Sequence, residues 1–395
     1  MGKNIIMKKF VCFHLYNDFS GSPKVLRQVV RGMLEEGHEV VLVTSRGGVL
    51  DKITDNRLQI THFVRDFYSA RHNEQTPSAL ANRKNIQITD NFQLRYRYYN
   101  YKFAGSGVVT ALRYAWVQIY TFFVALGYLF EKDVVFYINT ILPVGPAVAG
   151  WLMRKRVVYH YHENAMVKGK MYRALAWVMQ RVATEIICVS EYQRSFLKRQ
   201  EGVKVVPNAL DEEFLARAVV DVEGAFERKT VLMLGSLKGY KGTKEFVELA
   251  RRLEQYRFVL VLNDEQENID RYFEENGLVV TENLKVYARQ EDVVPFYREA
   301  SVVLNLTDKS QAIETFGLTA LEARAFGLPV IVPTVGGIAE MVEDGVNGWK
   351  IDVQELDVIA MRIEEMLSDR EVYGRLGNGQ QDSLCSLFFL DRKTI

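Results

Sequence analysis

The sequence predicts an α/β protein made of two parallel-sheet halves of similar size. Short apolar runs of strand length alternate with helical stretches along nearly all of the 395 residues. Each half opens with a strand–loop–helix–strand unit, at Phe10 and at Thr230, which is the building block of a Rossmann-like sheet. A chain of this length accommodates two ordinary domains. The expected limits are 1–212 for the first domain, 213–228 for a linker, 229–370 for the second domain and 371–395 for a tail.

Phe10-Val-Cys-Phe-His-Leu15 reads as the first strand and Tyr16–Pro23 as a loop. Lys24–Glu36 follows as a helix with Val25, Val29, Met33 and Leu34 inward, closed by Gly37, and Glu39–Thr44 is the second strand. Residues 65–107 are polar, basic and rich in tyrosine and read as an insertion over the sheet. The apolar stretch Val108–Phe130 reads as a buried crossover helix. The alternative is a helix whose exposed aromatic end touches a membrane surface. Strands at Asp133–Asn139, Val157–Glu163, Glu185–Val189 and Val203–Val206, with helices between them, complete the first half. The segment Val219–Arg228 reads as loose linker. The second half alternates strands at Thr230–Leu234, Phe258–Leu262, Leu284–Tyr287 and Ser301–Leu306 with helices at Thr243–Gln255, Glu265–Glu275, Glu291–Glu299 and Leu356–Leu367. Beyond Gly374 the glycines argue against a long amphipathic helix.

Apolar residues make up 48% and charged residues 25%, a globular composition, and the net charge of +1 gives no overall field for nucleic acid. The charge is uneven, with Arg71, Arg83, Lys84, Arg95, Arg97, Lys102, Arg154, Lys155 and Arg156 all in the first half. Cys12, Cys188 and Cys385 lack metal-ligand spacing, and two fall in apolar strands, so a reduced cytoplasmic setting is expected. Met7-Lys-Lys-Phe leads straight into a strand, and a signal-peptide core is not expected. The first loop carries Gly21 alone rather than a spaced glycine triplet, which makes a dinucleotide fingerprint a poor reading.

The candidate site centres on Glu314-Thr-Phe-Gly-Leu-Thr-Ala-Leu-Glu322, a strand–loop–helix stretch. A helix N-terminus offers unpaired N–H groups and a positive dipole end to a phosphate. Gly317 allows close backbone approach. Carboxylates do not bind phosphate, but they accept hydrogen bonds from sugar hydroxyls, so Glu314 and Glu322 suit a ligand carrying both. The loop Gly235-Ser-Leu-Lys-Gly-Tyr-Lys-Gly242 places Lys238 and Lys241 after a strand, where they would neutralise a diphosphate. Strand alternation sends His160 and His162 to one side, with Glu163 close by.

With these motifs the chain resembles the retaining glycosyltransferases of family 4, which have the GT-B fold of two Rossmann-like domains facing each other across a cleft. The resemblance runs from Phe10 to about Leu367 and includes Gly37-His-Glu-Val, His162-Glu163, Val189-Ser-Glu191, Pro207-Asn-Ala-Leu-Asp211, Gly336-Gly337 and Asp344-Gly-Val-Asn-Gly348. It implies that Glu314 holds donor-sugar hydroxyls and Glu322 the ribose, while backbone N–H groups of Phe316, Gly317 and Leu318 meet the diphosphate. Lys241 would neutralise that diphosphate, His162 would contact the sugar, and Gly21 would bring the first loop close. Where the family has an arginine this chain has Ser236, with Lys238 as the substitute charge. The resemblance further implies a nucleotide-diphosphate sugar as co-substrate, no metal and no other cofactor. It implies transfer to a glycan acceptor. The basic, aromatic first half suggests a lipid-linked acceptor at the inner, cytoplasmic membrane face, which would fit bacterial surface-polysaccharide synthesis. The rival readings are a nucleotide-sugar epimerase, a transferase to a soluble acceptor, and a non-catalytic glycan- or nucleotide-binding scaffold.

Overall fold

The structure, a computed structural model, describes residues 7–53, 94–102, 106–165 and 168–388. The basic segment expected over 65–93 lies outside the described residues. Two compact units emerge, Met1–His162 with Ala174–Ile187, and Glu163–Arg173 with Cys188–Ile395.

The first sheet contains β1 (Lys9–Phe13), β2 (Glu39–Ser45), β3 (Leu94–Tyr99), β4 (Val134–Asn139), β5 (Arg156–Tyr161), β6 (Glu185–Cys188) and β7 (Val203–Val205). Its order is β3-β2-β1-β4-β5-β6-β7, and the registers of β1, β2, β3, β4 and β5 are parallel. The second sheet contains β8 (Thr230–Gly235), β9 (Arg257–Leu262), β10 (Leu284–Tyr287), β11 (Val302–Leu304), β12 (Val330–Val332) and β13 (Gly348–Lys350). It runs β10-β9-β8-β11-β12-β13, parallel throughout. The strands read as apolar runs because both faces are covered, and Val11, Val40, Phe136, Leu232 and Val303 are all buried. In each sheet the chain order reverses beside the first strand, between β1 and β4 and between β8 and β11. Ligands of open α/β sheets bind beyond the carboxyl ends of strands at such points.

Five expectations need correction. Leu94–Tyr99, expected inside an insertion, is the edge strand β3, paired in register with β2 from Val40↔Leu94 to Ser45↔Tyr99. Leu94, Tyr96 and Tyr98 are half-buried while Arg95 and Arg97 are exposed, the alternation of a strand whose edge carries charge. The helix Gly107–Leu126 is not a buried crossover helix. Only Val117, Thr121 and Ala125 are buried, one narrow stripe against the helix Val144–Leu152, where Gly145 approaches the Gln118 backbone.

The expected linker at 219–228 contains the helix Val222–Arg228, capped by the Asp221 carboxylate accepting from Gly224 N–H at 3.0 Å. The expected tail begins with a 19-residue helix, Arg370–Phe388. Tyr373 and Leu376 are buried, and the Tyr373 hydroxyl donates to Ser301 O at 2.7 Å. The glycines that argued against this helix permit its packing. A Cβ on Gly377 would lie 2.9 Å from Val222 Cγ1, and one on Gly379 would lie 2.1 Å from Val346 O. Their helix-propensity cost of about 1 kcal/mol each is offset by close contact. Gly21, expected in a loop, is the first residue of the helix Gly21–Glu35.

Candidate functional site

In the second unit, β8 ends at Gly235 and the chain turns through Ser236 and a 3-10 turn, Gly239–Lys241, into the helix Thr243–Arg252. Gly242 at the bend has φ +79°, and a Cβ there would stand 2.3 Å from Leu306 Cβ. Only glycine lets this loop lie against the segment after β11. Asp308 N–H donates to Tyr240 O at 2.8 Å, which joins the same two loops.

That juxtaposition sets Lys241 against Glu314. The Lys241 ammonium donates to Glu314 Oε1, which also accepts from the Thr307 hydroxyl at 2.9 Å and the Asn305 amide at 3.4 Å. Burial alone would raise the Glu314 pKa, but the Lys241 charge and these hydrogen bonds outweigh it and hold the carboxyl below its ordinary value. Thr307 and Asn305 went unnoticed in the sequence because nothing local marks them. Lys238 is exposed, and its ammonium lies 5.9 Å from the Tyr240 ring centroid, against 5.7 Å for that of Lys241. Both cations therefore border one loop face, while Ser236, also in that loop, carries no charge.

The helix Leu318–Ala325 starts at Gly317, whose φ is +91° and whose Cβ would meet Ile338 Cγ1 at 2.5 Å. The first N–H groups of a helix have no partner within it, so the Phe316–Leu318 turn presents a donor-rich, electropositive end. The Gly337 N–H donates to Glu314 O at 2.8 Å, and the Ser190 hydroxyl to Thr315 O at 2.7 Å. These bonds fix the backbone on both sides of Thr315. Glu322 accepts from the Tyr297 hydroxyl at 2.5 Å, and Tyr297 is itself buried. The tyrosine, invisible to motif reading, sets the direction of that carboxylate. Glu314, Phe316, Gly317, Leu318, Glu322 and Lys241 thus gather at the carboxyl ends of β8 and β11.

In the first unit the polar residues sit at the other reversal point. His14 follows β1, Asn139 ends β4, and His162 follows β5. Asn139 is fully buried, and its amide bridges His14 Nδ1 at 3.0 Å and His162 Nε2 at 3.0 Å. The Tyr137 hydroxyl and His160 Nδ1 are 2.7 Å apart. The His160 and His162 rings lie 4.1 Å apart, as strand alternation requires. Burial pushes His14 down to about 4, against the pull of Asp18, and pushes His160 down to about 3. His162 is lowered as well, first by burial and then by the two neighbouring imidazoles. The cluster is therefore neutral near pH 7. Gly21 lies in the same unit, one residue before Ser22, whose carbonyl accepts from the Asn139 amide at 3.1 Å. A polar residue closing an otherwise apolar strand was the one available signal for Asn139.

Cys12 and Cys188 are buried free thiols, and burial raises both, Cys188 to about 12. Among the described residues no group of three or more His, Cys, Asp or Glu is placed to hold a metal ion.

A family model described as glycosyl transferases group 1 matches residues 221–382, and one described as Glycosyltransferase Family 4 matches residues 104–214. The chain is 23% identical over 199 residues to N-acetyl-alpha-D-glucosaminyl L-malate synthase of Bacillus anthracis, a match covering 49% of this chain and 51% of that one. It is 30% identical over 167 residues to D-inositol 3-phosphate glycosyltransferase of Paenarthrobacter aurescens, covering 39% and 40%. The matches thus span about half the length of these curated relatives, or less. The crystal structure of Anabaena HepE in complex with UDP and glucose has a TM-score of 0.69 at 17% identity, covering 95% of this chain and 94% of that one. Sucrose-phosphate synthase from Thermosynechococcus elongatus gives 0.69 at 16% identity, covering 96% and 95%. At such identities the structural likeness is one of fold. With two parallel sheets of matching architecture and family models on both halves, the chain belongs to the family 4 glycosyltransferases and has the GT-B fold.

Proposed function

We propose that the protein is a retaining glycosyltransferase that moves a sugar from a nucleotide-diphosphate donor to a glycan acceptor. The observation that carries this reading is the convergence of Lys241, Glu314 and the Gly317 helix start at one reversal point of the second sheet. In the proposal, Glu314 accepts hydrogen bonds from sugar hydroxyls and Glu322, aimed by Tyr297, from ribose hydroxyls. The diphosphate meets the N–H groups of Phe316, Gly317 and Leu318. His162 is a hydroxyl-binding imidazole.

Breaking the glycosidic bond leaves the electron pair on the diphosphate oxygen. Lys241, Lys238 and the helix start offset that charge, a preorganised electrostatic term. Lys241 is shared with Glu314 until a diphosphate competes for it. A uridine nucleotide is the first donor to test, because the Anabaena HepE structure carries UDP and glucose. The reading needs no metal, so a chelator should leave turnover unchanged. A thermal-shift panel of nucleoside diphosphates, followed by slow hydrolysis of the matching nucleotide sugar, tests the donor side. Hydrolysis that persists undiminished in Glu314→Ala would overturn the assignment of Glu314.

We further propose a lipid-linked acceptor in bacterial surface-polysaccharide synthesis, with the protein cytoplasmic and docked at the inner membrane face. The favouring observation is the outer face of the helix Gly107–Leu126. Trp116 is 66% exposed and Phe123 64%, and Val108, Leu112 and Ile119 lie along the same stripe. The helix is long and apolar enough to cross a membrane, and only 22% of its apolar 18-residue stretch is buried within the protein. Exposed Arg95, Arg97, Lys102 and Arg113 in the same unit complement anionic headgroups. Binding to anionic vesicles that weakens with salt is the expected result, and no binding at low salt would sink it.

A further inference from the structure

We propose that Thr307 is a positioning residue that pins one oxygen of the Glu314 carboxylate, Oε1, and leaves Oε2 as the oxygen offered to a sugar hydroxyl. The β11–β12 ladder runs one bond past β11, the Asn305 N–H donating to Ile331 O at 2.8 Å. Alternation then sends Asn305 and Thr307 to one side, and both reach Glu314, while Leu306 between them lies against Gly242. Thr307 is 2% exposed. Its hydroxyl carries one hydrogen, which is spent on Oε1 at 2.9 Å. The Asn305 amide is fixed in direction, because the Thr307 N–H can only donate and lies 3.2 Å from Asn305 Oδ1. The amide nitrogen therefore faces Oε1, at 3.4 Å. With the Lys241 ammonium, three donors converge on an oxygen that offers about two lone-pair sites. Among the described residues none donates to Oε2. That oxygen is open, since 21% of the Glu314 side chain is exposed and Oε2 is not a buried, unpaired atom.

The proposal rests on the functional reading, which puts Glu314 against the donor sugar, and carries it to the single atom. Lys241 is the titratable group that faces Glu314, and it is also the cation a diphosphate would draw away. Thr307 and Asn305 carry no charge and stay on Oε1 when Lys241 turns to the diphosphate. The carboxylate then keeps its direction, with Oε2 outward. An ionised carboxylate can only accept, so the sugar must present a hydroxyl to Oε2. A deoxy sugar leaves that oxygen unpaired, and an ether oxygen sets a lone pair against a lone pair. The site is thus selective for a hydroxyl at the position Oε2 touches.

The test compares Thr307→Val, which removes the hydroxyl at nearly constant volume, with Thr307→Ser, which keeps it. UDP-glucose, bound in an Anabaena HepE structure, is the donor probe, and UDP the product probe. Thr307→Val should lower kcat/KM for UDP-glucose hydrolysis about tenfold, the scale of one hydrogen bond to a charged group. UDP affinity, read by calorimetry, should be unchanged, and Thr307→Ser should match the wild type in both. Loss of turnover and UDP affinity together, or equal loss in the two variants, overturns the proposal. Wild-type kinetics in a folded Thr307→Val overturns it as well. A second readout needs no turnover: carbon NMR of the full chain with labelled glutamate, the Glu314 signal identified by its loss in Glu314→Gln. Its titration midpoint should rise in Thr307→Val, because a donor to the charged form is gone, and stay in place in Thr307→Ser. An unmoved midpoint in Thr307→Val overturns the proposal. A risen midpoint in a protein inert towards every nucleotide sugar would uphold the role of Thr307 and overturn the functional reading instead. Where Thr307→Val fails to fold, a crystal structure of the wild-type chain with UDP-glucose decides. A glucose hydroxyl on Oε2 is expected, and one on Oε1 overturns the proposal.

Discussion

The two reversal points of this molecule solve the same positioning problem with opposite electrostatics. In the second unit a lysine, two glutamates and a helix start surround one turn, and the Glu314 carboxyl is held ionised by Lys241, Thr307 and Asn305. In the first unit His14, His160, Tyr137 and Asn139 are buried and His162 is half-buried, with no net charge near pH 7. The difference follows from the ligand parts each would meet. A diphosphate demands compensation by cations and N–H groups, whereas hydroxyls are sorted by neutral donors and acceptors of fixed direction. Polar residues at matching topological positions thus need not share a charge type.

The largest effect should come from removing the cation. Lys241→Ala should lower kcat about 100- to 1000-fold, the scale of losing one preorganised electrostatic group. Steady-state turnover reads this, and a loss of less than tenfold would move the diphosphate away from Lys241. Gly317→Ala comes next. It places a Cβ against Ile338 at φ +91°, which should cost about 1–3 kcal/mol in urea denaturation of the second unit and weaken nucleotide binding. Unchanged stability would mean that the turn is less constrained than its geometry shows. Tyr297→Phe removes the 2.5 Å bond that aims Glu322. A hydrogen bond to a charged group contributes about 1.5 kcal/mol or more, so nucleoside diphosphate affinity should fall about tenfold by calorimetry, with little change in kcat.

The acid response sharpens the contrast at the smallest cost per pH step. The lowered pKa values of His14 and His160 mean that the unfolded chain binds protons first. The first unit should therefore lose stability as pH falls below about 6.5, continuing towards about 4 and about 3 for the two rings. The slope is at most ~1.4 kcal/mol per pH unit for each histidine. Glu314, lowered relative to an unfolded carboxyl, contributes stability that is intact above about pH 4.3 and lost only as pH drops through its folded value. Trp116, Trp151 and Trp177 report on the first unit and Trp349 on the second. Tryptophan variants that isolate these signals should show the first unit weakening between pH 6.5 and 5 while the second holds. Simultaneous weakening would break the comparison.

Most strands were legible because burial on both faces forces continuous apolar runs, and the Glu314–Glu322 stretch was legible because its turn and helix start are local. The helix Arg370–Phe388 was not. Gly377 and Gly379 look like breakers until Val222 and Val346 are seen pressed against them. The outward face of Gly107–Leu126 was not legible either, since apolar composition says how a helix would like to be covered and not whether it is. Tyr297 and Asn139 escaped notice because their importance lies in partners distant in the chain, Asn139 and His14 being 125 positions apart.

By itself the sequence determined the parallel α/β class, the family and the turn and helix start at Glu314–Glu322, since each is written in local periodicity and contiguous motif. Tertiary structure alone decided which side chains meet. It paired Lys241 with Glu314, aimed Glu322 through Tyr297, and set one buried amide between His14 and His162. Hydrogen bonds across a sheet reversal depend on distance in space, and the chain records only distance along itself.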